Sequence, residues 1–121
     1  MNKIIKLLVT IYFSLLVSSV ALSIESFFDE ALKMYEQKEY DKAQFMFERN
    51  IVFNPKNAKS YLYLAKIYNY HENKKKEEYN LNTALLIEPN NEEVILMLMK
   101  ISLKKSNYSK VKNLSQTFVK V

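Results

Sequence analysis

The segment FNPKNA at residues 53–58 has a counterpart in IEPNNE at residues 87–92. Pro55 and Pro89 stand 34 residues apart in these two segments. Proline has no amide donor and restricts the residue before it, so each proline is expected to end the helix that precedes it. A match at this fixed distance indicates that the chain contains an internal repeat.

The same two segments also predict where new helices begin. Asn57 and Asn91 share the 34-residue offset, and each stands just before an apolar stretch with helical periodicity. An asparagine side chain in this position accepts a hydrogen bond from the free amides of the first helical turn. A proline, a short linker and a helix start therefore occur in the same order twice.

Apolar residues recur at helical spacing from residue 27 to the end of the chain. Breaks at residues 38–40, 73–76 and 106–107 divide the spans between the prolines. The pattern predicts an all-α fold of six helices of about 12 to 14 residues in three antiparallel pairs. Asp41 and Gln44 predict a capping box at the start of the second helix. The residues with helical spacing are Phe27, Ala31, Met34, Tyr35, Ala43, Phe47, Ile51, Tyr61, Leu64, Ala65, Tyr68, Leu81, Ala84, Leu85, Ile95, Leu98, Met99, Val111, Leu114 and Phe118.

The composition excludes several classes of function. The 121-residue chain has no cysteine, no glycine and a single histidine, His71. These absences exclude disulfides, thiolate metal centres, glycine-rich phosphate loops and multi-histidine zinc sites. With no glycine and only two prolines, a fold of many β-hairpins is also disfavoured. No pair of carboxylates and no partnered nucleophile is evident, so we predict no enzyme and no cofactor.

Residues 1–23 are typical of a secretory signal and are treated as separate from the domain. Lys3 and Lys6 precede an uncharged apolar stretch, and Ala21 and Ser23 place small residues where a signal peptidase acts. We expect cleavage after Ser23. Two alternatives are an ordinary buried helix and an uncleaved membrane anchor. As a helix, the uncharged stretch would be about 25 Å long, which is shorter than the hydrocarbon core of a bilayer at about 30 Å. No cysteine follows, so a lipoprotein is excluded.

Residues 24–121 resemble three tetratricopeptide repeats, at 24–57, 58–91 and 92–121. The resemblance implies a right-handed superhelical stack of three antiparallel helix pairs. It implies that Ala43, Ala65 and Ala84 lie where helices approach closely, because larger side chains would separate the axes. The matching residues are Phe27, Ala31, Tyr40, Ala43, Phe47 and Pro55 in the first repeat; Tyr61, Leu64, Ala65, Tyr68, Leu81, Ala84 and Pro89 in the second; and Ile95, Leu98 and Tyr108 in the third.

Some residues depart from the repeat pattern or from an ordinary amphipathic helix. Met34, Glu77 and Met99 stand where the family has other residues, and we expect Glu77 to turn outward toward Lys74 or Lys76, or its helix to begin later. Residues 43–53 are apolar on most sides, so the next repeat is expected to cover this helix. The last helix has one narrow apolar stripe, as expected for a terminal helix.

The resemblance also implies a concave groove lined by the first helix of each pair. Lys66, Lys100 and Lys104 in this groove would favour an acidic or carboxylate-ended segment. The alternative is that the apolar members complete the core and the lysines are solvated. The lysine, asparagine and arginine set with which one subtype of the family clamps a terminal carboxylate is not matched. The predicted groove residues are Phe28, Leu32, Tyr35, Leu62, Tyr63, Lys66, Asn69, Tyr70, Leu96, Met97, Lys100, Leu103 and Lys104.

The resemblance and the leader together predict a non-catalytic adaptor, exported to the periplasm or cell envelope, that holds a segment of another protein in its groove. The alternative is a self-associating, membrane-tethered scaffold that dimerises through the apolar run at residues 94–99. Nucleic acid is not expected as a partner, because export removes the chain from it. Membrane contact is expected only through the N-terminal segment, if that segment is uncleaved.

Overall fold

A computed structural model describes the backbone of residues 2–120 and the side chains of this range except those of residues 16–26. The described residues form helices without any strand, which confirms the all-α prediction. The helices are α1 (Asn2–Glu36), α2 (Tyr40–Phe53), α3 (Ala58–Tyr70), α4 (Lys74–Ile87), α5 (Glu92–Lys104) and α6 (Tyr108–Val119).

The helices pack as three hairpins that stack in chain order. In the first hairpin, the rings of Phe27 and Phe53 stack 5.6 Å apart at one end and those of Tyr35 and Tyr40 meet at 5.4 Å at the other. These two contacts show that α1 and α2 run antiparallel. The pairs α3–α4 and α5–α6 follow, and α2 packs on α3 and α4 on α5. The observed order is that of a helical-repeat solenoid.

The predicted boundary after Ser23 does not coincide with the end of a helix. Helix α1 continues from Asn2 to Glu36, so the first helix of the first repeat is the C-terminal part of a longer rod. The side chains of Ala21 and Ser23 lie outside the described residues, as do Met1 and Val121, and the leader and the domain limits stay predictions. In the described part of the chain, no helix combines the length and the apolar character needed to cross a membrane.

The turn inside each hairpin is made without glycine. Lys38, Glu72 and Ser106 adopt left-handed conformations with φ of 62°, 57° and 55°. They are spaced 34 residues apart, so the period of the sequence is also a period of the backbone. A residue with a Cβ atom in this region costs roughly 1–2 kcal/mol, which glycine would avoid.

Each of these residues lies inside a Schellman motif, in which two amides bond back to the last turn of the preceding helix. One bond of each motif joins residues five positions apart in the sequence. It supplies a donor for a carbonyl group that the helix end leaves free. These bonds run from the amide of Glu39 to the Met34 carbonyl (2.9 Å), from Asn73 to Tyr68 (2.8 Å) and from Asn107 to Ser102 (2.8 Å).

Asparagine caps four of the helices. The predicted caps are confirmed, since Asn57 Oδ1 accepts from the Ser60 amide at 2.9 Å and Asn91 Oδ1 from the Val94 amide at 3.1 Å. Asn73 and Asn107 cap α4 and α6 in the same way.

The capping box predicted from Asp41 and Gln44 is not formed. Helix α2 begins after Glu39, whose side chain makes no capping bond and pairs with Lys42 at 2.6 Å. Gln44 donates instead to Glu48 at 2.9 Å. The helix therefore starts one residue before Asp41, which places Asp41 inside the first turn.

The small residues predicted for the helix crossings are buried in the core. Ala43, Ala65 and Ala84 are fully buried. Phe47, Leu64 and Ile67 belong to the core between the first two hairpins, and the core between the last two includes Leu81, Ile95 and Leu98.

The two interfaces between hairpins differ in polarity. Between α2 and α3, Asn50 donates to Ser60 Oγ at 2.8 Å, and both residues are fully buried. The residues 34 positions later, Ala84 and Val94, are also fully buried and are apolar. One interface thus carries a directional hydrogen bond where the other relies on apolar contact.

The next repeat packs against α2, as expected, but it leaves part of this apolar helix exposed. Phe45 is 62 % exposed, and Val52 and Phe53 are exposed as well. Only the side of α2 that carries Ala43, Phe47 and Asn50 is fully buried. Because a second helix in a solenoid contacts its neighbours on one side, its outer side stays in water whatever its residues are.

We expect Glu72→Gly to raise the free energy of unfolding by about 1 kcal/mol, because glycine adopts the left-handed conformation without the Cβ penalty. For a domain of this size such a gain raises the Tm by roughly 4–8 °C. Thermal unfolding followed by circular dichroism measures the change.

Lys112→Gly, at an exposed position inside α6, is the matched control for this substitution. It should lower stability by about 1 kcal/mol, because glycine is a poor helix former. A lower Tm for Glu72→Gly would contradict the assignment of strain to this turn.

Candidate binding groove

Helices α1, α3 and α5 share one face of the stack, which we call the groove face. Side-chain contacts across this face show that α3 lies between α1 and α5. The ring of Phe28 on α1 lies 6.2 Å from that of Tyr63 on α3, and Lys66 on α3 pairs with Glu93 on α5 at 2.7 Å. The fold thus brings predicted residues of the first and second repeats together and places Lys66 beside the third.

Tyr63 is the central side chain of this face. Its ring stacks on buried Phe47 at 5.2 Å and meets the edge of Tyr35 at 5.0 Å. Tyr63 is half-buried, so part of this side chain stays accessible beside the core. Partial burial raises the pKa of Tyr35 above its ordinary value of 10.0, against the opposing effect of Lys66. The Tyr35 phenol is therefore a neutral donor at physiological pH.

The aromatic contacts continue toward the hairpin turns. Tyr40 contacts Tyr35 at 5.4 Å and Tyr70 at 4.4 Å between ring centroids. Tyr70 is 65 % exposed and is the most accessible ring of the set. Leu32, also predicted for the groove, is half-buried on α1. We call the connected set the aromatic row; its members are Phe28, Tyr63, Tyr35, Tyr40 and Tyr70.

Lys66 does not offer the free charge that the sequence suggested. Its ammonium group pairs with Glu93 and lies 4.8 Å from the centroid of the Tyr63 ring. Glu93 belongs to the first turn of α5, and its pairing with Lys66 appears only when α3 and α5 are brought side by side. The middle of the groove face is therefore close to neutral.

A cavity of about 350 Å³ lies at the other end of the face, between α3, α4 and α5. Four of its residues were predicted for the groove. The sequence analysis did not predict the other four, which are Lys74, Glu77, Ile101 and Lys105. They were missed because only the fold brings the start of α4 next to the end of α5. We call this cavity the lysine pocket; its lining residues are Asn69, Lys74, Glu77, Met97, Lys100, Ile101, Lys104 and Lys105.

Glu77 is buried in the wall of the lysine pocket, which corrects the expectation that it turns outward. Only 2 % of it is exposed, and Lys74 Nζ donates to Glu77 Oε2 at 3.1 Å. Lys74 also donates to Asn69 Oδ1 at 3.1 Å. The lysine reaches inward and compensates the carboxylate, so the predicted partner is confirmed although the direction was wrong.

The four lysines of the pocket are not equivalent. Lys74 is engaged by Glu77, and Lys105 pairs with Glu78. Lys100 and Lys104 are exposed, one turn apart on α5, and make no ion pair within the part of the chain that the structure describes. The uncompensated positive charge of the pocket thus lies on its α5 rim.

Leu62 was predicted for the groove but lies in the core. It is 6 % exposed and packs with Leu81, Leu98 and neighbouring residues. Leu62 and Tyr63 are consecutive, so they point about 100° apart on the helix, and only one of them can face the groove. Leu96 and Leu103 of α5 are about half exposed.

The apolar run at residues 94–99 does not form the continuous surface that a dimer contact would need. Val94, Ile95 and Leu98 are fully buried. Leu96 is exposed, and Met97 and Met99 are half-buried. Half of the run therefore belongs to the core between the last two hairpins.

His71 caps the C-terminus of α3 and pairs with Asp41 at 3.2 Å. Both residues are exposed at the edge of the aromatic row. Among the described side chains, no group of three or more acidic or histidine residues is placed to hold a metal ion.

Solved structures with tetratricopeptide repeat domains are similar to this chain. The second such domain of Spaghetti (RPAP3), bound to an HSP90 peptide, superposes with a TM-score of 0.67 at 16 % identity, covering 78 % of this chain and 87 % of that one. The tetratricopeptide repeat domain of Arabidopsis OM64 superposes with a TM-score of 0.68 at 19 % sequence identity. The match covers 80 % of this chain and 81 % of that one. The Yersinia enterocolitica secretion chaperone SycD, in complex with a YopD peptide, superposes with a TM-score of 0.68 at 12 % sequence identity. The match covers 78 % of this chain and 72 % of that one.

No protein-family model and no curated protein matches the sequence. The structural similarity nevertheless shows that the chain has a tetratricopeptide-like fold, a helical-repeat solenoid. The resemblance proposed from the 34-residue period is confirmed at the level of the fold.

Glu78 fixes the rim of the lysine pocket to the last hairpin. Its carboxylate accepts from Lys105 at the end of α5 and from Lys110 of α6, the latter at 3.3 Å. The hydrogen bond from Lys105 is the main reason that the pKa of Glu78 lies below its ordinary value of 4.5, and Lys110 adds to it. A lowered pKa means that folding favours the charged carboxylate.

We expect Glu78→Gln to reduce the acid sensitivity of the fold. The stabilisation by charged Glu78 is fully present above pH 4.5 and is lost as the pH falls through its lowered pKa. The free energy of unfolding of the unmodified chain, from urea denaturation, should therefore fall more between about pH 5.5 and about pH 3.5 than that of the variant.

Glu36→Gln is the control, since Glu36 is exposed and makes no ion pair among the described residues. Its pH profile should follow that of the unmodified chain. An unchanged profile for Glu78→Gln would show that these ion pairs contribute nothing to folding.

Proposed function

We propose that this protein is a non-catalytic interaction module that holds a segment of another protein against its groove face. The observation that carries the proposal is the aromatic row, which runs from half-buried Tyr63 to exposed Tyr70 across two repeats. A tetratricopeptide-like fold that presents connected aromatic rings to solvent on one face offers a surface suited to binding.

The chemistry of the row suits a protein segment. Tyrosine provides a large contact area, loses little rotamer entropy on binding and keeps a hydroxyl for hydrogen bonds. The rings of Tyr35 and Tyr63 are already fixed against each other, so little further ordering is needed when a ligand arrives.

Two of the similar structures support this proposal by analogy. The Spaghetti domain is bound to an HSP90 peptide and SycD to a YopD peptide, so the same architecture holds peptides in those proteins. In the present chain, the free charges of Lys100 and Lys104 favour a segment that carries an acidic residue.

We propose further that the module acts in the cell envelope after export. The support is the sequence of residues 1–23, with its basic start, apolar centre and small residues at Ala21 and Ser23. The alternative, in which this segment stays uncleaved and tethers the module to the inner membrane, places the groove face in the same compartment.

We favour a binder of other proteins over a self-associating scaffold. The scaffold hypothesis rested on residues 94–99 as a dimer contact, and half of these residues are fully buried. The aromatic row, in contrast, ends in Tyr70, which is 65 % exposed.

We expect Tyr70→Ala to weaken peptide binding about tenfold, because an exposed aromatic anchor of this kind contributes on the order of 1–2 kcal/mol. The probe is a library of displayed random peptides selected on the immobilised chain. The Kd of the selected peptides is then measured by calorimetry for the unmodified chain and the variant.

Tyr79→Ala is the matched control, since Tyr79 on α4 is 67 % exposed and lies outside both the aromatic row and the lysine pocket. It should leave the Kd unchanged. Equal binding by Tyr70→Ala and the unmodified chain, or the absence of any saturable binder in the library, would overturn the proposed function.

A further inference from the structure

We infer that the lysine pocket takes an aliphatic side chain whose neighbour in the partner sequence is an aspartate or glutamate. This inference rests on the proposed function and states which chemistry one end of the groove face recognises. The pocket is well suited to such a pair, because an apolar interior and a charged rim lie within one cavity.

The interior of the pocket is suited to an apolar group. Met97 and Ile101 are half-buried and stand one turn apart on α5. Methionine adapts its shape to different aliphatic partners. The cavity of about 350 Å³ is at the small end of binding pockets, which suits one side chain and not a large ring system.

The rim is suited to a carboxylate. Lys100 and Lys104 project from neighbouring turns of the same helix, so one carboxylate can lie close to both ammonium groups. Neither is engaged by an acidic side chain of the described residues. Their aliphatic stems can also lie along the apolar wall while the charges stay in water.

The buried carboxylate of Glu77 determines which part of the ligand goes inside. Glu77 lines the pocket, and among the described residues its compensating charge is Lys74 at 3.1 Å. A second carboxylate placed deep in the cavity would face Glu77 in an environment of low dielectric constant. The acidic group of the ligand is therefore held at the rim, and the apolar group enters the cavity.

The same arrangement discriminates against two other ligands. A basic segment would meet the like charges of Lys100 and Lys104 at the rim. A segment held through a buried terminal carboxylate would bring that carboxylate to Glu77. The pocket therefore recognises an acidic residue within a chain, next to an aliphatic one.

The test selects a library of random peptides, fused at their C-termini so that no free carboxylate is present, on the full-length chain. We expect selected sequences to be enriched in Leu, Ile, Val or Met directly beside Asp or Glu. This enrichment should disappear on the double variant Lys100→Gln/Lys104→Gln, whose helix propensity is nearly unchanged.

Lys56→Gln/Lys112→Gln is the matched control, since it removes the same charge from two exposed lysines outside the pocket. Selection on this variant should keep the enrichment. Circular dichroism of all variants should show the same helicity and nearly the same Tm, which separates loss of recognition from loss of fold.

Calorimetry on one selected peptide then gives the coupling between the acidic residue and the rim. Replacing its Asp by Asn should weaken binding about fivefold to the unmodified chain and hardly at all to Lys100→Gln/Lys104→Gln. Replacing its Leu by Ala should weaken binding to both.

The outcomes separate the two proposals. Peptides that bind in a Tyr70-dependent way but show the same enrichment on all variants would overturn the pocket inference and leave the proposed function standing. The absence of any selected peptide would overturn both.

Discussion

The close approach of neighbouring helices at three buried alanines is the constraint on which the rest of this structure depends. Ala43, Ala65 and Ala84 leave no accessible surface, and a larger side chain at any of them would force two helix axes apart. A single hairpin of this size cannot bury its apolar side, so each hairpin is held by the next. The stacking that results places α1, α3 and α5 on one face and exposes the outer side of α2.

The groove face combines packing with recognition because its residues serve both. The Tyr63 ring stacks on the core residue Phe47, and part of this side chain stays accessible. The charges are arranged by pairing. Lys66 is neutralised by Glu93 and Lys74 by Glu77, so the remaining positive charge stands on α5 beside an apolar cavity. Position along the face, more than the number of lysines, decides where an acidic group is attracted.

The turns show how far a local pattern can be taken. The breaks at residues 38–40 and 106–107 located two hairpin turns without any glycine to mark them, whereas the break predicted at residues 73–76 extends into the first turn of α4. The structure closes each hairpin with a left-handed residue at the same repeat position. Capping by Asn57 and Asn91 was predictable because it involves residues three positions apart. The box predicted from Asp41 and Gln44 failed because α2 begins at Tyr40, a shift of one residue that propensity does not resolve.

The amino-acid sequence by itself determined the helical fold and the 34-residue period, since these follow from spacing along the chain, whereas the residues expected on the groove face came from the family resemblance. Only the tertiary structure decided that Leu62 lies in the core, that Glu77 is buried beside Lys74 and that Lys66 is paired with Glu93. The rotation of α3 about its own axis decides whether Leu62 or Tyr63 faces the core. The others depend on how far a long side chain reaches and on which helices meet across the stack, and neither is encoded in local periodicity.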